Sequence, residues 1–394
     1  MNNLQANGWD LTDIKHIELG EPELDRYRLL KGDLLFNRTN SKELVGKCEA
    51  FNEDGDWVFA SYLIRVRVDT GRVLPQFVSA FLNCSAGRIQ IDQVSRQIAG
   101  MTNVNAEELR LLEVPLPPLE VQRRLVAELD VARAERDRAL AEAEKLTVTF
   151  DAYLLNELGL ALPDENTQKT FAVRLGAIRG GRIDPPAYQP ILARGVTPRV
   201  PVKALSVLAV VNNHNVEKPE DAKALVPYVG LPECDQTEVR EVVMRPYSEV
   251  KGRSVVKPGD ILFARIEPSI FNKKYVLVED LKGHDHAYTS TEFYVVSHRP
   301  GISVQEYLYA MFFCSFVYSQ SKGMTTGSSG RRRLDLEQFR SLKIPVPDLR
   351  IQQIIADEAI RRRQEARYLR VHAETVWREA RERFEQQLLQ GGNT

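Results

Sequence analysis

The sequence predicts an α+β protein built twice: two globular units of antiparallel strands and short helices, separated by two long antiparallel coiled-coil helices in a pseudo-twofold internal repeat. Three observations carry this. A strand motif occurs twice, a proline-marked strand exit occurs twice at a fixed distance, and a long amphipathic run follows each exit. The motif is "KGDLLFNRTN" at 31–40 and "KPGDILFARI" at 257–266, an offset of 227 when Gly32 is set on Gly259. The exit is "LLEVPLPPLEVQ" at 111–122 and "SLKIPVPDLRIQ" at 341–352, an offset of 230. That second offset also pairs Leu63 with Phe293, Phe77 with Tyr307, Cys84 with Cys314, Gly100 with Gly330 and Leu109 with Phe339. An insertion of three residues between motif and following strand reconciles the two values, and self-similarity at a fixed period marks a tandem duplication.

Each copy runs through the same elements in the same order. "DLLFNR", "WVFASYLIRVRV", "DILFARI", "KKYVLVED" and "STEFYVVS" have the alternation and turn punctuation of antiparallel strands. One short helix follows in each copy, "PQFVSAFLNCSAGRIQ" or "VQEYLYAMFFCSFVYSQ", with apolar residues at helical spacing. A glycine turn, a second short helix and the Pro-x-Pro exit come next. From Pro118 to about Leu158, apolar or small residues fall at Leu125, Leu129, Ala132, Ala139, Ala143, Leu146, Phe150 and Leu154. From Leu349 to Leu389 they fall at Ile351, Ile355, Ala359, Ala366, Leu369, Ala373, Val376, Ala380 and Leu388. Apart from the last step from Ala380 to Leu388, the spacings are three, four and seven, those of a coiled-coil seam. Helices of this length reach roughly 60 Å at 1.5 Å per residue. Such helices can bury each other's seams and hold the two units at a fixed separation. The expected boundaries are therefore 1–117, 118–162, 163–348 and 349–394. About ninety residues separate the first long helix from Gly259, whereas thirty-one precede Gly32, so the first copy is expected to lack its N-terminal part.

Composition narrows the classes. The chain has 394 residues, 43% hydrophobic and 27% charged, which suits two or three globular domains. "MNNLQANGWDLTD" lacks the basic start and apolar core of a signal peptide, and no apolar run approaches a membrane span, so a cytoplasmic location without membrane attachment is expected. Cys48, Cys84, Cys234 and Cys314 form no CxxC pair, which argues against a thiolate metal site. The net charge of −1 says little about partners, because a locally basic surface can sit on a neutral protein.

Signs of catalysis are weak. "DPPAY" at 184–188 resembles the Asp-Pro-Pro-aromatic motif of amino-group methyltransferases, but its aromatic residue comes one place late and no glycine-rich turn opens a helix to hold a cofactor. His284 and His286 can share one face of a strand, yet no third metal ligand is in view. Lys47 follows Gly46 without the upstream glycine of a nucleotide-binding loop. No catalytic residue, cofactor or metal is assigned.

Polar and basic residues on loops at a rigid sheet suit nucleic acid, where phosphate contacts position and base contacts specify. The first copy offers Asn37, Arg38, Asn40, Lys42 and Lys47, and the second Arg265, Asn272, Lys273 and Lys274. "SKGMTTGSSGRRR" joins a glycine and serine stretch to Arg331, Arg332 and Arg333, suited to following a phosphate backbone.

The set "KGDLLFNRTNSKELVGK", "FASYLIRVRVD", "NVNAEELRLLEVPLPPLEVQRRLV", "YVGLPE", "KPGDILFARI", "STEFYVV" and "IPVPDLRIQQII" resembles the specificity subunits of type I restriction-modification enzymes. The resemblance covers nearly the whole chain. It implies two target recognition domains, each reading half of a bipartite double-stranded DNA target, and two long helices acting as a ruler. It further implies two modification (methyltransferase) subunits as partners, with a translocating restriction subunit joining through the complex, and no catalysis in this chain. The first recognition domain would be N-terminally shortened. A scaffold that binds partner subunits without reading both half-sites is the alternative from another class.

Overall fold

A computed structural model of the chain describes residues 3–5, 8–42, 44–98, 101–160, 199–235, 237–322, 324–327 and 332–391. It divides into two compact units, residues 1–141 with 369–394, and residues 142–368. The fold is α+β, with antiparallel sheets and two long helices. "DPPAY", Arg331, Gly100 paired with Gly330, and the expected boundary at 162 lie outside the described residues.

In the first unit, β1 (Leu34–Asn37), β2 (Thr39–Asn40), β3 (Cys48–Ala50) and β4 (Leu63–Val66) lead into α1 (Pro75–Asn83) and α2 (Ser85–Val94). The hairpin β5 (Arg96–Ile98) and β6 (Met101–Asn103), the short α3 (Ala106–Arg110) and the long α4 (Leu119–Leu158) follow, the residues of α4 after 141 being counted with the second unit. The strands form two antiparallel sheets, ordered β3-β1-β4 and β2-β6-β5.

The second unit opens with β7 (Val202–Ala204), a single turn α5 (Leu205–Leu208) and β8 (Ala209–Val211). β9 (Leu225–Val229), β10 (Val243–Pro246) and β11 (Val255–Val256) come next. The repeat then restarts as β12 (Ile261–Ala264), α6 (Glu267–Phe271), β13 (Tyr275–Leu277), β14 (Ala287–Thr289) and β15 (Phe293–His298). It continues through α7 (Gln305–Phe313), α8 (Ser315–Lys322), the hairpin β16 (Thr325–Thr326) and β17 (Arg333–Leu334), and α9 (Leu336–Arg340). β18 (Lys343–Pro345) and the long α10 (Leu349–Gly391) close the unit's repeat. One sheet is ordered β8-β15-β12-β13 and a second β10-β9-β14-β11, while β18 pairs with β7.

Strand register carries both sequence offsets. Leu34 faces Val66 and Ala50 in the first unit, and Ile261 faces Val296 and Leu277 in the second. The central and outer strands are thus related by 227 residues and the inner neighbour by 230. The extra three residues lie between β13 and β14, and the pairing of β11 with β14 is kept in the first copy as a single bridge, Arg28 facing Val58 as Val255 faces Tyr288. Register is strongly specified where one face is buried, because a slip of one residue turns every side chain over. Here Leu34, Phe36, Ile261 and Phe263 are all at most 2% exposed.

Two glutamine pairs fix the rest of the repeat. Buried Gln122 accepts the Leu74 N–H and donates to the Arg72 and Pro117 carbonyls. Buried Gln352 accepts the Val304 N–H and donates to the Ile302 and Pro347 carbonyls. Gln90 accepts the Glu113 N–H and donates to its carbonyl, and Gln320 does the same with Lys343. Every partner is displaced by 230 residues. Buried backbone groups must be paired, so the amides tie the Pro-x-Pro exit to the helix before it.

Two expectations are corrected. The single short helix of each copy is two helices, broken at Cys84 and Cys314, whose backbones are extended. The second segment starts on a carboxylate from a long helix: Glu385 accepts the Ser85 N–H at 2.8 Å and Asp151 the Ser315 N–H at 2.7 Å. Acceptors and negative charge at a helix N-terminus satisfy its orphan N–H groups. The stretch 57–68 is strand only over β4, because the Ala60 carbonyl accepts the Leu63 N–H and turns the chain first.

Both halves of the long-helix pairing are antiparallel within their own unit. In the first, Glu135 pairs with His372 at 2.9 Å, while Arg124 and Glu128 meet Gln387. In the second, Arg362 reaches Thr149 at 3.0 Å. The seam positions named from the sequence are buried or half-buried throughout. They also join the globular cores: Leu125, Leu129, Ala380 and Phe384 pack with Phe77, and Leu154, Leu158, Ile355 and Ala359 with Tyr307. The helices therefore pack on their units as well as on each other.

Candidate nucleic-acid interface

The repeated motif begins as a turn. Gly32 and Gly259 hold φ of +87° and +93°, a conformation that costs little without a Cβ. The next residue closes the turn: Asp33 accepts the Leu30 N–H at 2.9 Å and Asp260 the Lys257 N–H at 2.7 Å. Both carboxylates are then occupied, Asp33 by Arg67 at 2.6 Å and Asp260 by Ser297 at 2.6 Å and His214 at 2.7 Å. The acidic position of the motif is structural.

The strand leads to an arginine held identically in both copies. Arg38 N–H donates to Tyr62 and the Arg38 carbonyl accepts from Val104. Arg265 N–H donates to Glu292 and its carbonyl accepts from Leu334. Each arginine thus stands where the central strand leaves its sheet for the small hairpin. Residues 38–47 and 265–274 form loops of equal length beyond it. Each is closed by a bond from the strand end, Asn37 N–H to Lys47 at 2.8 Å and Ala264 N–H to Lys274 at 3.2 Å. The penultimate residue has positive φ in both, Gly46 at +80° and Lys273 at +49°. A basic pair, Arg38 with Lys47 and Arg265 with Lys274, therefore brackets the same loop twice.

The other expected residues divide by environment. Asn37 is buried, and neither side-chain polar atom has a hydrogen-bond partner among the described residues. Asn40 is half-buried in β2 opposite Thr102, and Lys42 is exposed on the loop. Asn272 is exposed at the end of α6. The Lys273 ammonium lies 5.1 Å over the Tyr318 ring and 3.3 Å from the Phe313 carbonyl. The Lys274 ammonium donates to the Leu231 carbonyl at 2.6 Å. The Arg265 guanidinium stacks 5.0 Å from the centre of the Tyr294 ring. Arg332 lies 3.6 Å from Glu267, and Arg333 pairs bidentately with Glu292 at 2.7–3.1 Å. The Glu292 carboxylate raises the Arg333 pKa further.

Sequence reasoning missed Glu267 and Glu292. Glu267 directly follows "KPGDILFARI" and Glu292 lies inside "STEFYVVS", but nothing in a linear pattern pairs them with arginines more than forty residues away. Arg332 and Arg333 of the second copy are consequently matched by carboxylates, whereas in the first copy Arg38 leads directly into β2, where Thr39 faces Asn103 and Asn40 faces Thr102. Elsewhere chemistry is poor. All four cysteines are buried, and burial pushes the Cys234 and Cys314 thiols up to about 12, away from thiolate reactivity. Among the described residues no cluster of three metal-ligating side chains forms, and no helix is long and apolar enough to cross a membrane.

Residues 252–358 match the family model of the type I restriction modification DNA specificity domain. The chain carries a type I specificity domain. The matched stretch holds the second copy's motif, loop, hairpin and proline exit. Over 157 residues the chain is 29% identical to the EcoKI type I restriction enzyme specificity subunit of Escherichia coli K12, covering 37% of this chain and 34% of that one. Over 142 residues it is 28% identical to the StySPI specificity subunit of Salmonella potsdam, covering 34% and 31%. These matches span about a third of the relatives' length. A chain solved in a study of complex assembly and conformational transition of the type I R-M system superposes with a TM-score of 0.50 at 14% identity, over 92% of this chain and 82% of that one. That likeness extends the shared fold to both copies of the specificity repeat.

Proposed function

We propose that the chain is a non-catalytic recognition subunit that reads double-stranded DNA on behalf of methyltransferase partner subunits. The observation that carries this is the duplicated loop bracketed by Arg38 and Lys47 in one copy and Arg265 and Lys274 in the other. Two copies of one reader suit a bipartite target, because phosphate contacts fix register while base-edge contacts on a rigid framework supply sequence. Arg332 and Arg333 would exchange Glu267 and Glu292 for phosphate oxygens, which keeps the basic hairpin ordered before DNA arrives. The long helices are the natural surface for modification subunits, their outer faces being dense in paired charge such as Arg361 with Glu358 and Glu365.

The test is selection from a random-sequence duplex library at near-physiological salt, with and without a modification subunit, followed by sequencing of the retained DNA. A split motif with a constant gap is expected. No enrichment in either sample would sink the DNA-reading function, and a single half-site would restrict reading to the second unit.

A further inference from the structure

An apolar groove of about 210 Å³ opens in the first unit, lined by Leu34, Phe36, Val66, Val78, Leu112 and Val114. Leu116, also on its wall, is 52% exposed. The equivalent six residues of the second copy are Ile261, Phe263, Val296, Leu308, Leu342 and Ile344, each at most 2% exposed. What covers them is the segment β7–α5–β8. Leu205 and Leu208, both fully buried, plug that space together with Ala209 and Val211.

The plug is also held by backbone. β8 pairs with the outer edge of β15, Ala209 facing His298 and Val211 facing Val296. β7 pairs with β18, Val202 facing Pro345 and Ala204 facing Lys343, and the Leu205 N–H donates to the Leu342 carbonyl. In the first unit the corresponding acceptors of a strand are the outer edge of β4 and residues 113–115. Among the described residues neither edge pairs with another strand. One repeat therefore presents an apolar slot between two open strand edges, and the other shows what fits it.

We propose that this groove docks a segment of a separate partner polypeptide with the chemistry of Pro201–Val211: a strand, a Leu-x-x-Leu turn and a second strand. Strand addition supplies main-chain hydrogen bonds, and the two leucines supply apolar burial and register. An exposed apolar face beside two unpaired edges also invites nonspecific pairing, and a matched segment removes both hazards at once. The inference rests on the repeat and is independent of whether the chain reads DNA.

The experiment titrates the full chain with residues 199–212 fused to a soluble carrier, and with the same fusion carrying Leu205→Asp and Leu208→Asp. Saturable binding by the first fusion is expected, weakened at least tenfold by the aspartates and by Leu116→Glu in the full chain. Because Leu116 is half exposed, that change spares the core. Absence of binding, or equal binding by both fusions, would overturn the proposal. A dimer of the chain that the fusion dissolves would overturn the separate partner in favour of a second copy.

Discussion

The two units differ less in their framework than in what lies against it. Strand register, the two glutamine clamps and the helix broken at a cysteine are the same in both. The second adds a plug over its core and builds the single Arg28–Val58 bridge of the first into a second sheet, β10-β9-β14-β11. The framework thus holds its register with or without those additions. What sets it is the repeated sequence: buried alternating strands, a glycine at the turn and amides that satisfy the chain exit. The additions change which apolar surface is covered.

The largest effect that sharpens this contrast is at the plug. Leu205→Ala empties a fully buried site and should destabilise the second unit by about 2–5 kcal/mol. Leu116→Ala, on the open groove of the first unit, should cost no more than about 0.5 kcal/mol. Urea unfolding of the two variants measures both, and equal losses would show that the groove is filled.

The clamps come next. Gln122→Ala or Gln352→Ala leaves one buried N–H and two carbonyls without their partner. Each change should cost about 2–4 kcal/mol, at roughly 1 kcal/mol per bond with an added penalty for the stranded groups. Since the bonds are identical, the two losses should agree to within about 1 kcal/mol. Hydrogen exchange at Leu74 and Val304 separates the units, and protection surviving in one variant alone would break the equivalence.

Much of this was legible in the sequence because a duplication supplies its own alignment. The 227 and 230 offsets locate the three-residue insertion ahead of β14, and the apolar steps of the long runs name the seam. The helix break was not legible, since Cys84 and Cys314 continue the apolar period and the carboxylates that start the next helix come from Glu385 and Asp151, far along the chain. The site was legible as residue types and not as environments. Arg333 and Arg38 look alike in a sequence, but Arg333 is locked to Glu292, whereas the buried Arg38 Nε has no hydrogen-bond partner among the described residues. Asn37 reads as a loop residue, yet it ends a buried strand.

The bracketing arginines carry the functional comparison. Arg38→Ala and Arg265→Ala should each weaken DNA binding by about 1–3 kcal/mol and relax preference in one half of the selected motif only. Repeating the library selection with each variant reads this directly. Loss spread evenly over both halves would mean that the arginines contact phosphate without reading bases.

The smallest expected effect lies where the repeats disagree in the core. Glu49 on β3 is buried 3.6 Å from Arg133, at the position that Val276 holds in the other copy. Burial raises its carboxyl pKa above the ordinary value of 4.5, and Arg133 only partly opposes this. A raised carboxyl favours the protonated form in the folded chain. Stability from Glu49 is therefore greatest below pH 4.5 and is lost as the pH climbs through the folded pKa. Glu49→Gln should flatten that decline, so the variant gains on the parent between pH 5 and pH 7. Glu49→Val, which copies the other repeat, should gain less, because the Arg133 guanidinium keeps its place over the Trp377 ring but finds no acceptor on Val, whereas the Gln amide oxygen still offers one. Urea midpoints at the two pH values decide it: parallel curves for parent and Glu49→Gln would mean that Arg133 already compensates the buried charge in full.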